Sequence, residues 1–249
     1  MGPLEVSAII FLLLFGSAIG GMWLRGVLPE NHLDSDTKDL VKLGVGLIGT
    51  MAALLLGLLV ASAKSSYDTK SGELTQMAAN AILLDRMLAR YGPETRPIRD
   101  LFKTAVARTI DQIWPESGGE GGIGSQTGGE PTLDMIQELS PHNDLQRAIQ
   151  SQAASTTINL AQEKWLLFEQ SGSSISTPFL VVVVFWLGVL FVSFGLFAPR
   201  NGTAIVTLLV SAVSVAGALF LILELDHPFS GLIQISSTPL HNALGVLGK

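Results

Sequence analysis

Four stretches of the chain, residues 6–24, 43–63, 178–198 and 203–223, contain no Asp, Glu, Lys, Arg or His. Each is close to the ~20 residues that cross a ~30 Å hydrocarbon layer as an α-helix, whereas helices of water-soluble cores interrupt such runs with a polar face. Backbone polar groups find no water in lipid, so uninterrupted apolar runs of this length specify helices that span it. The ends are marked. Arg25 closes the first stretch, Lys42 and Lys64 bracket the second, Thr177 and Pro178 offer a cap and a first-turn proline to the third, and Pro199 ends it. The first stretch follows a leader with Glu5 and no Lys or Arg, which reads as a retained helix rather than a cleaved secretion signal.

The charges lie mostly between the second and third stretches, although only 14% of the 249 residues are charged. The expected fold is therefore all-α: an integral membrane protein with four transmembrane helices and a helical extramembrane domain inserted between the second and third. Residues 1–63 carry helices 1 and 2, 64–176 the domain, 177–223 helices 3 and 4, and 224–249 a C-terminal tail. Two helices, a domain and two more helices put both termini and the domain on one side. Lys and Arg divide almost evenly between the two sides, so charge bias does not choose the cytoplasmic one.

Several chemistries are excluded. A net charge of −6 without a Lys/Arg cluster argues against a nucleic-acid partner. With no cysteine there is no thiolate nucleophile and no cysteine-built metal site. His32, His142, His227 and His241 are scattered and sit in no metal-binding frame, and no nucleophile elbow is present. No catalytic residue, metal or cofactor is expected, and the chain does not read as an enzyme. Span interiors without carboxylates or histidine also disfavour a proton-driven carrier.

In lipid, helices associate where small residues let backbones approach. On the second span Gly46, Thr50, Ala53, Gly57 and Ala61 form one narrow stripe, with Leu43, Leu47, Met51, Leu54 and Leu58 on other faces. Gly16 and Gly20 give the first span a GxxxG pair, and Thr207, Ser211, Ser214 and Ala218 line the fourth. The third, rich in Val and Phe, reads as the most lipid-facing. The stripes denote either packing or, on span two, a path through the membrane; an uncharged path lined by Leu and Met would gate by dewetting.

Past Lys64 no breaker intervenes, and Leu74, Met77, Ala81, Leu84, Leu88 and Tyr91 recur at helical spacing until Gly92-Pro93. A helix over 95–114 follows, with Ile98, Phe102, Ala105, Ile110 and Ile113 on one face. Residues 116–131, ESGGEGGIGSQTGGEP, have linker composition and lack the GK[ST] ending of a phosphate loop. A short helix over 133–139 precedes Ser140-Pro141, expected to start a long helix toward Phe168.

Between the first two spans, Glu30, His32, Asp34, Asp36 and Asp39 either cap the second helix or bind a divalent cation or shape ion entry, without the glycine and spacing of an EF-hand. After the fourth span comes LELDHPFSG, whose Asp226, His227, Pro228 and Phe229 form a helix exit and a candidate pore mouth. The amphipathic piece carrying Leu240, Leu244 and Leu247 suits an interfacial or a domain-docking helix.

Over nearly its whole length the chain resembles the bacterial bestrophin-like membrane proteins. The resemblance rests on GLIGTMAALLLGLLVASAKSSYD from Gly46, on AANAILLDRMLARYGPE, and most specifically on LDHPFSG with Asp226, Pro228, Phe229 and Gly231. True bestrophins are oligomeric anion channels with four spans, a cytosolic helical domain after the second and a pore along the second. This chain is shorter and has Leu and Met where they carry aromatic neck residues. The resemblance implies a homo-oligomer in the bacterial inner membrane, with cytoplasmic termini and domain. It further implies ion, in particular anion, conduction past Leu43, Gly46, Leu47, Thr50, Met51, Leu54, Gly57 and Leu58, with Asp34, Asp36, Asp226, His227, Pro228 and Phe229 at the pore mouth or exit. The partners are then the lipid bilayer, further copies of the chain and permeating ions. A non-conducting scaffold or sensor, whose cytoplasmic domain recruits partners, is the alternative.

Overall fold

The structure is a computed structural model that describes residues 2–29, 35–114, 130–169 and 177–249. Among these residues every regular element is helical: α1 (Pro3–Val27), α2 (Ser35–Tyr91), α3 (Arg96–Ile113), α4 (Glu130–Gln137), α5 (Asp144–Glu169), α6 (Thr177–Phe197), α7 (Gly202–Leu225) and α8 (Thr238–Val246). Four of them, α1, α2, α6 and α7, are long and apolar enough to cross a membrane, matching the four charge-free stretches. The chain divides into two compact units, 1–66 with 174–226 and 67–173 with 227–249. As the lack of a breaker past Lys64 led one to expect, α2 continues beyond the second stretch and is a single helix of 57 residues that contributes to both units.

In the first unit α1 and α6 run parallel, with Gly188 beside Leu13 and Ser17, and Gly21 beside Val192 and Leu196. Two glycines permit the approach. A Cβ on Gly195 would run into the carbonyl oxygen of Ala18, and one on Gly21 into that of Val192. Such backbone contact is the packing available where lipid removes the hydrophobic drive between helices. The GxxxG pair lies elsewhere: Gly16 and Gly20 are exposed with open space around them. The reason is register, since Ala18 and Gly21 occupy the face that meets α6. The third span is also not the lipid wall expected from its composition. Val183, Leu187, Leu190 and Phe191 of α6 are buried in the core with Ile10, Leu14 and Ala18 of α1 and Leu208, Ala212 and Leu219 of α7.

The second unit has the core of a protein folding in water. Leu74, Met77, Ala78, Ala81, Leu84 and Leu88 of α2 pack with Ile98, Phe102, Val106, Ile110 and Ile113 of α3 in one cluster. Each fully buried Leu or Ile there contributes about 1.5–3 kcal/mol relative to exposure. Val106 takes the place expected for Ala105, as an i, i+4 step from Phe102 requires. Gly92 turns the chain out of α2 with φ 152°, a conformation few other residues adopt. The long helix α5 starts at Asp144, later than Ser140-Pro141 suggested, because the Asn143 side chain accepts the Gln146 N–H at 2.8 Å and so caps it. Residues 115–129, holding most of the Gly-rich segment, lie outside the described residues.

The tail after α7 belongs to this core. Ile235, Leu240, Ala243 and Leu247 are buried with α2 and α3, so α8 is the docking helix of the two readings. Trp114 Nε1 donates to the Ile235 carbonyl at 3.1 Å, and its ring meets Phe229 edge-on. Asp85, 1% exposed, receives Arg99 through two bonds of 2.8 and 2.9 Å, and the Gly248 N–H reaches the same carboxylate at 3.3 Å. Arg99 also donates to the Lys249 backbone oxygen at 2.9 Å.

Two stability outcomes follow. Gly195→Ala is expected to lower the thermal midpoint of the purified protein by the ~1–3 kcal/mol of an overpacked contact, whereas Gly16→Ala leaves it unchanged. Asp85→Ala strands a largely buried guanidinium, for a loss of about 3–5 kcal/mol in denaturant titration, against almost none for exposed Arg90→Ala.

Candidate functional site

Helix α2 presents two opposite faces within the first unit. Ala52, Leu59 and Ala63 are buried, with Val45, Ile48, Leu55 and Leu56 partly so, and Gly49 lies beside Leu190 of α6. At ~100° per residue these positions occupy one side of the helix. The other side holds every candidate named on this span: Leu43, Gly46, Leu47, Thr50, Met51, Leu54, Gly57 and Leu58 are all exposed. Leu43 and Leu54 are each 75% exposed, and Gly46 and Gly57 have no atom within contact of an added Cβ. Only 11% of the apolar stretch of α2 is buried, against 33%, 33% and 28% in α1, α6 and α7. The small-residue stripe is thus not the seam to the rest of the chain. That seam is the Ala52–Leu59–Ala63 row, which the sequence reading missed because two alanines among leucines give little contrast.

This exposed face carries no ionisable group between Lys42 and Lys64. Its hydroxyl, Thr50 Oγ1, donates to the Leu47 carbonyl at 2.8 Å, so its proton is committed to its own helix. The stripe on α7 behaves alike: Thr207 and Ser214 donate to Thr203 and Val210, and face away from buried Leu208, Ala212 and Ala216. A groove of about 630 Å³ between α1 and α6 is apolar apart from Ser17 and Ser193, and offers no reactive group.

The pore-mouth candidates have separate surroundings. Asp36 is exposed in the first turn of α2, where the helix dipole favours a carboxylate, and Asp39 pairs with Lys42 at 3.0 Å. Asp34 lies outside the described residues. Asp226 caps the C-terminus of α7, is 1% exposed and is not without a partner. In the second unit His227 is exposed, Pro228 is buried and accepts from the Ile235 N–H at 2.8 Å, and Phe229 lies against Trp114. No group of three or more metal-ligating side chains forms among the described residues.

One acidic site in the second unit escaped the sequence reading. Asn80 of α2 donates to Glu163 of α5 at 2.7 Å, while Glu73 Oε2 and Glu163 Oε2 are buried without a hydrogen bond. Burial pushes the Glu163 carboxyl above its usual range, against the opposing pull of the Asn80 bond, and the Glu73 charge adds to the rise. Glu73 and Asn80 lie seven residues apart on one helix face, a spacing that could have flagged them; their partner on α5 could not be read from sequence.

The folded state therefore holds the Glu163 proton more tightly than the unfolded chain. Its contribution is complete below the ordinary glutamate value of 4.5 and is lost as pH rises through the raised value. Glu163→Gln is expected to raise the thermal midpoint at pH 7 and to flatten its fall as pH rises above 4.5, as read by melting curves over a pH series.

Comparison with known proteins agrees with this helical membrane architecture. No curated protein and no solved structure matches the chain. The family model described as the bestrophin-like domain matches residues 12–240, nearly the whole sequence, and the chain belongs to the bestrophin-like family.

Proposed function

We propose that the protein is an oligomeric ion channel of the bacterial inner membrane whose pore is lined by α2 from each copy. One observation carries the reading. The least-packed span has a continuous uncharged face at Leu43, Gly46, Leu47, Thr50, Met51, Leu54, Gly57 and Leu58, opposite the face that joins the chain's own core. A helix buried on one side by its own chain and bare on the other suits a central position among copies. Leu54 and Leu58 then form an apolar constriction that conducts when wetted. Anions are the permeant class that family membership favours. The packing of residues 227–249 with 67–173 supports a hairpin of α6 and α7 that returns the chain to the side it left. That side, with both termini and the second unit, is cytoplasmic in this reading, and Asp36 lies at the opposite mouth.

A second reading, a non-conducting scaffold or sensor, is favoured by the absence of any charge on the exposed face and by the committed Thr50 hydroxyl. The cysteine-free background separates the two. In planar bilayers the purified Leu54→Cys protein is expected to pass current that a thiol reagent reduces several-fold, and to form disulfide-linked dimers on oxidation. Phe185→Cys, on an exposed position of α6, shows neither effect. Cross-linking at Leu54 without current under any ion or voltage would favour the scaffold; no cross-linking removes α2 from the axis.

A further inference from the structure

The parallel helices α1 and α6 end at one level, where Arg25 of α1 reaches the end of α6 and Arg200, three residues past α6, reaches α1. Arg25, in the last turn of α1, donates through Nη1 to the carbonyl of Ala198 just beyond α6. Arg200 donates through Nη2 to the Met22 carbonyl of α1 at 3.0 Å. The two side chains therefore cross the same helix pair in opposite directions. Gly26 keeps the backbone bare where they cross, since a Cβ there would run into Arg200 Nη2.

Capping a helix C-terminus explains one hydrogen bond for each arginine. A guanidinium has five N–H donors, and both residues are exposed. Among the described residues neither has an acidic partner. What remains is a pair of cationic forks, fixed by their carbonyl contacts and open to solvent. They sit where two charge-free spans end, at the boundary between hydrocarbon and water. Trp23, 70% exposed in the same turn as Arg25, is the kind of amphipathic ring that settles at headgroup level. The abundant oxyanion at that depth is the lipid phosphate, whose geometry an arginine fork matches bidentately.

We propose that Arg25 and Arg200 together form a binding site for the phosphate of an anionic phospholipid headgroup. The two carbonyl contacts hold the guanidiniums before the lipid arrives, so little side-chain entropy is lost on binding. A net-negative headgroup is retained over a zwitterionic one, because among the described residues no acidic side chain pairs with either guanidinium. The site is independent of conduction.

Native mass spectrometry of the purified full chain, titrated with phosphatidylglycerol and phosphatidylcholine of matched acyl chains, tests the site. The expected result is a preference for phosphatidylglycerol on the order of tenfold, the ratio that two basic side chains supply at an anionic surface. R25Q/R200Q abolishes that preference, and R25K and R200K each reduce it, since lysine keeps the charge but loses the fork. Millimolar inorganic phosphate leaves the bound lipid in place. An equal affinity for the two lipids, or a preference that survives R25Q/R200Q, overturns the proposal. Displacement by inorganic phosphate also does so, by showing a site for free anions. Should the double variant fail to fold, unchanged ratios in both lysine variants overturn it equally. A purely structural role would lower the melting temperature of the variants by the same amount in nanodiscs of either lipid.

Discussion

Lipid offers the backbone no hydrogen-bonding partner, and it offers apolar side chains no reason to leave it for one another. Everything in the first unit follows from that pair of facts. Helicity is enforced along the apolar stretches, while cohesion between the helices must come from contact distance rather than from the burial of large side chains. Gly21 and Gly195 answer that need, because each brings a carbonyl of the neighbouring helix to where a Cβ would stand. Leu14 and Phe191 then pack around a seam already closed by the backbone.

Helix α2 passes from one set of rules to the other within a single element. In its first part the chain buries Ala52, Leu59 and Ala63 and leaves Leu43, Leu47, Leu54 and Leu58 bare. In its last part it buries Leu74, Leu84 and Leu88 and turns Arg86 and Arg90 outward, as an amphipathic helix in water does. Leucines left bare along one whole side, with Gly46 and Gly57 among them, suit a helix whose solvent is hydrocarbon or another copy of itself. The reversal along one helix is physical support for membrane placement that does not depend on hydropathy.

The spans, the extension of α2, its end at Gly92 and the helix α3 were legible because each rests on a local signal: absence of charge, a helical period, a breaker. Contacts across helices were not. Gly16 and Gly20 carry the better-known spacing, yet Ala18 and Gly21 meet α6, and no single-helix pattern distinguishes the two faces. The docking of α8 was legible only as one of two options, since an amphipathic helix suits a membrane surface as well as a protein core. Asn143 supplanted Ser140 as the α5 cap through a hydrogen bond that composition does not reveal. The site residues of α2 were legible as a face but not as a role, which depends on what lies against that face in the assembled protein.

The second unit is assembled from 67–173 and 227–249, segments separated in the chain by α6 and α7. Its core therefore cannot close in the order of synthesis. Asp85 and the apolar face of α3 emerge early and must wait, through the insertion of two further spans, for Leu240, Leu247 and the Gly248 N–H. Completion of this core therefore comes only after α6 and α7 have been made. A chain that stalls or misinserts there is left with a bare hydrophobic groove and an incompletely satisfied buried carboxylate, the features by which quality control recognises unfinished proteins.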